Sequence, residues 1–143
     1  MHAAHPAKTI EVLLVEDSPS DVRLMQEALI ESGVSSRLHV VRDGAQAMQF
    51  LRNEPPLDHA PRPDLIFLDL NLPRMSGREV LSEIKRSRDL STIPVCILTT
   101  SSNQQDVDAA YALNATCYIT KPSNLDDFVA QVKTIYSFWF RGA

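Results

Sequence analysis

Residues 10–21 read IEVLLVEDSPSD, a short apolar run that ends on two acidic residues and passes at once into a helix-start signal. Ile10 to Val15 is nearly unbroken in its apolar character, the pattern of a strand buried on both faces of a parallel sheet. Ser18 then stands as N-cap with Pro19 at the first helical position, and Asp21 places a carboxylate in the first turn. The predicted helix runs to about Gly33, with Val22, Met25, Ala28 and Leu29 on one apolar stripe and Arg23, Gln26, Glu27 and Glu31 on the other face.

The same alternation recurs four more times. Predicted strands at Leu38 to Val41, Leu65 to Leu68, Val95 to Leu98 and Cys117 to Ile119 are followed by predicted helices at Ala45 to Leu51, Gly77 to Ile84, Val107 to Leu113 and Leu125 to Phe138. Five strand–helix units imply an α/β fold, a doubly wound parallel sheet with right-handed crossovers and helices on both faces. The stretch 53–64 holds four prolines and reads as a surface loop within one domain. Met1 to Lys8 lacks any apolar period and is expected to be a disordered tail, so the domain is taken as 9–143; His2 and His5 support no metal reading.

The chain has 143 residues, the size of one domain, and its 44% apolar and 22% charged content is that of a soluble globular protein. A net charge of -4 gives no general attraction to phosphate backbones or anionic lipids, so neither nucleic acid nor membrane is expected as a partner. No apolar run approaches the ~20 residues that span a bilayer, and a cytoplasmic location is expected. Cys96 and Cys117 each sit inside an apolar run and are expected to pack as small hydrophobes; a disulfide between them is possible but not expected.

Glu16 and Asp17 follow the first strand and Asp69 ends the third, so all three carboxylates fall at the carboxyl edge of the sheet, where ligands of open α/β sheets bind. Crowded carboxylates repel one another and call for a cation. Oxygen ligands with room for water and a phosphate oxygen suit Mg²⁺, with Asp17 and Asp69 as direct ligands and Glu16 acting through water. Lys121, directly after the fifth strand, brings an ammonium to the same edge, and Thr99, ending the fourth, brings a hydroxyl donor. One carboxylate at a strand end is most often a turn or helix cap; five polar groups gathered from four strand ends point to a site.

The segments LLVEDSPSD (13–21), LIFLDLNLPRMSG (65–77), VCILTTS (95–101) and CYITKPSN (117–124) resemble the signature segments of bacterial response regulator receiver domains, over nearly the whole chain. The resemblance implies a flavodoxin-like sheet of order 2-1-3-4-5 and a phosphorylation switch. Asp69 would accept a phosphoryl group from a sensor histidine kinase, Glu16 and Asp17 would be the acidic pair, and Asn71 would lend a backbone carbonyl to the metal. Thr99 and Lys121 would be the switch hydroxyl and the phosphate-binding lysine. Tyr118 would be the aromatic whose rotamer follows the switch, and the Lys121–Pro122 bond would be cis. The phosphotransfer would be self-catalysed, and the protein not otherwise an enzyme. The loop before the third strand, LTTS and the aromatic C-terminus look like cyanobacterial phytochrome response regulators, and that resemblance implies a role downstream of a phytochrome and leads us to expect no effector domain. Thr100 stands where Ala or Gly is frequent and Glu16 where Asp is more usual. Since Thr100 bears on water access to the aspartyl phosphate, the dephosphorylation rate is not carried over.

Phe138, Trp139 and Phe140 are consecutive, so one helix face cannot bury all three, and a homodimer interface is expected there. Tyr111 and Tyr118 are expected near the same face. His39 and His59 read as surface or satisfied residues. Two other readings compete on the same fold. A non-phosphorylated module for binding or dimerisation would be expected to have lost one of Asp17, Asp69, Thr99 or Lys121, and a flavodoxin-like enzyme would need a phosphate-cradling loop where the acidic VEDSPSD stands.

Overall fold

The computed structural model describes residues 9–70, 72, 74–99, 108, 111–112, 115–121 and 124–140. The expected N-terminal tail, Asn71, Thr100, Pro122 and most of the segment 107–113 lie outside the described residues. Five strands, β1 (Ile10–Val15), β2 (Ser36–Val41), β3 (Leu65–Asp69), β4 (Val95–Thr99) and β5 (Cys117–Thr120), form one parallel sheet in the order β2-β1-β3-β4-β5. Helices α1 (Pro19–Glu31), α2 (Gly44–Arg52), α3 (Gly77–Arg86) and α4 (Leu125–Trp139) lie against it, and among the described residues none is long and apolar enough to cross a membrane.

Strand alternation divides the core in two. Leu13, Val15, Ile66, Leu68 and Ile97 pack with Ala47, Met48, Leu51, Val80, Leu81 and Ile84 of α2 and α3. Val12, Leu14, Phe67, Cys96 and Leu98 pack on the opposite face with Met25, Leu29, Phe128, Val132 and Ile135 of α1 and α4. The central strands carry apolar residues at successive positions because both of their faces are covered. Of the stripe expected on α1, Met25, Ala28 and Leu29 are buried and Val22 packs partly against the core.

Each of the four helices among the described residues starts on a side-chain cap. Ser18 Oγ accepts from the Asp21 amide at 3.4 Å, Asp43 Oδ1 from Gln46 at 2.8 Å, Ser76 Oγ from Glu79 at 3.2 Å and Asn124 Oδ1 from Asp127 at 2.8 Å. Such caps contribute about 1 kcal/mol each and fix where the chain turns from strand end to helix.

The turn after β3 is tight. A methyl group on Gly77 would lie 2.3 Å from the Asp69 carbonyl oxygen and 2.6 Å from the Leu70 Cα, both backbone atoms held in the sheet edge. Gly77→Ala is therefore expected to cost about 1–3 kcal/mol in urea unfolding. A change below about 0.5 kcal/mol, the range of a neutral surface substitution, would contradict this close approach.

The cysteines correct the expectation drawn from sequence. Cys96 and Cys117 are register partners in β4 and β5, with Cα atoms 4.6 Å apart, and they are joined in a disulfide. Their sequence separation of 21 concealed that parallel pairing places them side by side. At the aromatic end Phe138 and Trp139 are exposed, and half-buried Phe140 packs against the core beside Tyr136, with ring centroids 5.7 Å apart.

Candidate functional site

Glu16 follows β1, Asp69 and Thr99 end β3 and β4, and Lys121 follows β5, so parallel strands deliver all four to one edge. Glu16, Asp69 and Thr99 are buried, at 1%, 5% and 0% exposure, while Asp17 faces solvent. The Lys121 amide donates to the Thr99 carbonyl at 2.7 Å, which carries the β4–β5 pairing one step past the strand ends and holds these two residues together.

The Lys121 ammonium donates to three carboxylates: Glu16 Oε1 at 2.6 Å, Asp21 Oδ2 at 2.7 Å and Asp69 Oδ2 at 3.2 Å. Burial pulls its pKa down, but its hydrogen bonds to Asp21 and Glu16 and the nearby Asp69 charge hold it above the usual lysine range. Burial pushes the Glu16 carboxyl up to about 7, with the Asp69 carboxylate adding to the rise and the Lys121 hydrogen bond opposing it. Glu16 Oε2 also accepts from the Ser18 amide at 3.2 Å.

Glu16, Asp17 and Asp69 each offer an oxygen within 4.8 Å of the other two. An all-carboxylate set of hard oxygens, partly open to solvent through Asp17, fits Mg²⁺.

Residues 12–133 match the family described as the response regulator receiver domain. This chain belongs to that family. The receiver is 52% identical over 136 residues to response regulator Rcp1 of Synechocystis sp., covering 95% of this chain and 91% of the relative. Its fold superposes on the phosphorylated cyanobacterial phytochrome response regulator RcpA with a TM-score of 0.87 at 48% identity, covering 95% of this chain and 97% of that one. The manganese-bound form of Rcp1 gives a TM-score of 0.84 at 50% identity, covering 94% and 96%.

The structure brings together Glu16, Asp17, Asp69 and Lys121, with Thr99 beside them. Tyr118 is half-buried on β5, packed against the α2–α3 side of the core and in register with Ile97. His39 Nε2 donates to Glu11 Oε1 at 2.8 Å and its ring contacts the Phe50 ring, and His59 is exposed. Sequence reasoning assigned Asp21 only to the helix terminus, yet it is one of the three partners of Lys121. The available signal was its position in a first turn that begins only three residues after the Glu16 strand end, which aims that turn back across the site.

Proposed function

We propose that the receiver accepts a phosphoryl group on Asp69 from the phosphohistidine of a sensor histidine kinase. The observation that supports this most strongly is the pairing of a buried Asp69 carboxylate with the Lys121 ammonium at 3.2 Å, beside Glu16 and Asp17. A carboxylate oxygen of Asp69 attacks phosphorus, the P–N bond breaks, and the imidazole leaves with the bond's electron pair. Lys121 offsets charge on the transferring phosphoryl oxygens, and the Thr99 hydroxyl donates to one of them once transfer is complete. Glu16, Asp17, Asp69 and the Asn71 carbonyl would hold Mg²⁺, which supplies charge neutralisation for donor and acceptor. Thr100, Tyr118 and Pro122 complete the phosphate-binding and switch elements. The chemistry is self-directed, and the receiver acts as a switch, with no other substrate to turn over.

The phytochrome-named relatives support a phytochrome as the source of the phosphoryl group. The receiver works in the cytoplasm, and its net charge of -4 argues against nucleic acid or an anionic membrane as partner.

Metal binding has a pH signature. The Glu16 pKa is raised from 4.5 to about 7 in the folded state, so the fold without metal binds the extra proton and loses stability as pH rises through that window. A divalent cation competes with that proton. Mg²⁺ should therefore raise the melting temperature more at pH 8 than at pH 5, and Asp17→Ala should remove most of the gain. An equal Mg²⁺ effect at both pH values, or one that survives in Asp17→Ala, contradicts the assigned ligands.

The exposed pair Phe138 and Trp139, stacked edge to face at 5.0 Å, supports a homodimer. Phe138→Ala combined with Trp139→Ala removes anchors worth about 2 kcal/mol each at an interface hot spot, and sedimentation should show a shift towards monomer. A wild type that sediments as monomer at every concentration contradicts the dimer.

A further inference from the structure

We infer that the Cys96–Cys117 disulfide is a redox modification site, opened by a small dithiol or a dithiol reductase and coupled to the phosphoacceptor site through β4 and β5. The coupling rests on Asp69 phosphorylation as proposed above; the bond and its accessibility do not. Both cysteines lie on the strands that deliver the switch residues, Cys96 three positions before Thr99 and Cys117 four before Lys121. The cross-link thus fixes the same β4–β5 pairing that ends in the hydrogen bond from the Lys121 amide to the Thr99 carbonyl.

The two sulfurs are not equally shielded. Cys96 is wholly buried between β3 and β5, whereas β5 is the outer strand and half-buried Cys117 lines an open groove of about 270 Å³ with Ile119, Ala130, Gln131, Thr134 and Ile135. Attack from that groove reaches Cys117 Sγ first. A thiolate of the dithiol bonds to Cys117 Sγ and the S–S bond breaks. The Cys96 sulfur leaves with the electron pair and takes a proton as a buried neutral thiol. The reductant's second thiolate then displaces Cys117, so that one disulfide is reduced, two protein thiols form, and the dithiol is oxidised to its own disulfide. Disulfides that sit in a reducing compartment are typically transient or redox-sensing, which agrees with an accessible bond in a signalling domain.

Once reduced, β5 is held to β4 without a covalent link, by the backbone ladder, the hydrogen bond from the Val95 amide to Thr116 Oγ1 at 3.0 Å and core packing. Lys121 and Thr99 are then less strictly positioned over Asp69, and misplacement of such groups slows transfer. The test compares the oxidised and the dithiothreitol-reduced protein, with Cys117→Ser as a variant that lacks the bond and leaves every site residue in place. Mass measurement should find no thiol to alkylate in the unreduced protein even once unfolded, one alkylated thiol, Cys117, after reduction of the folded protein, and two when the reduced protein is unfolded before alkylation. The rate of phosphorylation by acetyl phosphate with Mg²⁺ should be about threefold or more lower in the reduced protein, and Cys117→Ser should match the reduced protein with or without dithiothreitol. Two free thiols in protein purified under air without reductant, or a bond that dithiothreitol opens only after unfolding, overturns the modification site. Clean reduction with unchanged phosphorylation rates overturns the coupling. Failure of wild type to label in either redox state refutes the phosphoacceptor reading instead and leaves the thiol result standing.

Discussion

Asp69→Asn will take up no phosphoryl group from acetyl phosphate and Mg²⁺ under conditions that label the wild type. The amide oxygen that replaces the carboxylate is a poor nucleophile, and Asp69 is a buried carboxylate at the end of β3, 3.2 Å from the Lys121 ammonium. The variant should fold. The change is isosteric and removes one of the crowded carboxylates that raise the Glu16 pKa, so its urea midpoint at pH 8 should equal or exceed that of wild type. Labelling of Asp69→Asn at the wild-type rate would remove Asp69 from the mechanism, whereas an unfolded variant would show that the carboxylate is needed for structure.

Lys121→Met is expected to have the second-largest effect, and it acts on chemistry and stability together. Removing a positioned cation from a transferring phosphoryl group costs on the order of 10²–10³ in rate. The folded protein also loses the one ammonium that contacts Glu16, Asp21 and Asp69 in this site, with the Lys121 side chain only 10% exposed. Breaking such a buried arrangement costs about 3 kcal/mol. The sign of its pH dependence follows from Glu16. With Lys121 present the folded-state pKa is already raised from 4.5 to about 7, and without the opposing hydrogen bond it rises further. The variant then binds a proton in the folded state that the unfolded chain releases, so its deficit against wild type is smallest near pH 5 and grows as pH rises. Urea unfolding in chelator at pH 5 and pH 8 measures this directly. An equal deficit at both values would mean that Lys121 stabilises through packing and not through charge.

The sheet was legible because buried parallel strands are written as apolar runs, and those of β1, β3 and β4 are broken off by Glu16, Asp69 and the Thr99 hydroxyl at one edge. The helix starts were legible for a related reason: Ser18 is a local signal, read from the side chain's own hydrogen-bonding chemistry, and it caps α1 as expected. Contacts decided by register were harder. Cys96 and Cys117 are neighbours only because β4 and β5 pair with Thr99 opposite Thr120, and sequence spacing carries no trace of that alignment. Asp21 was read as a helix-terminal charge because its role depends on the direction in which α1 leaves the sheet edge. Phe140 was grouped with Phe138 and Trp139 because the three are consecutive, a spacing that does not show Phe140, with φ -126° after the end of α4, lying against Tyr136.

The most direct test of the central claim is to locate the phosphoryl group chemically. After incubation with acetyl phosphate and Mg²⁺, borohydride reduction converts an aspartyl phosphate to homoserine, and peptide mass mapping then reads which position has changed. Homoserine at position 69, dependent on phosphodonor and absent when the metal is chelated, is the predicted result. Homoserine at Asp17 or any other carboxylate, or an unmodified Asp69 in protein that carries phosphoryl elsewhere, would contradict it.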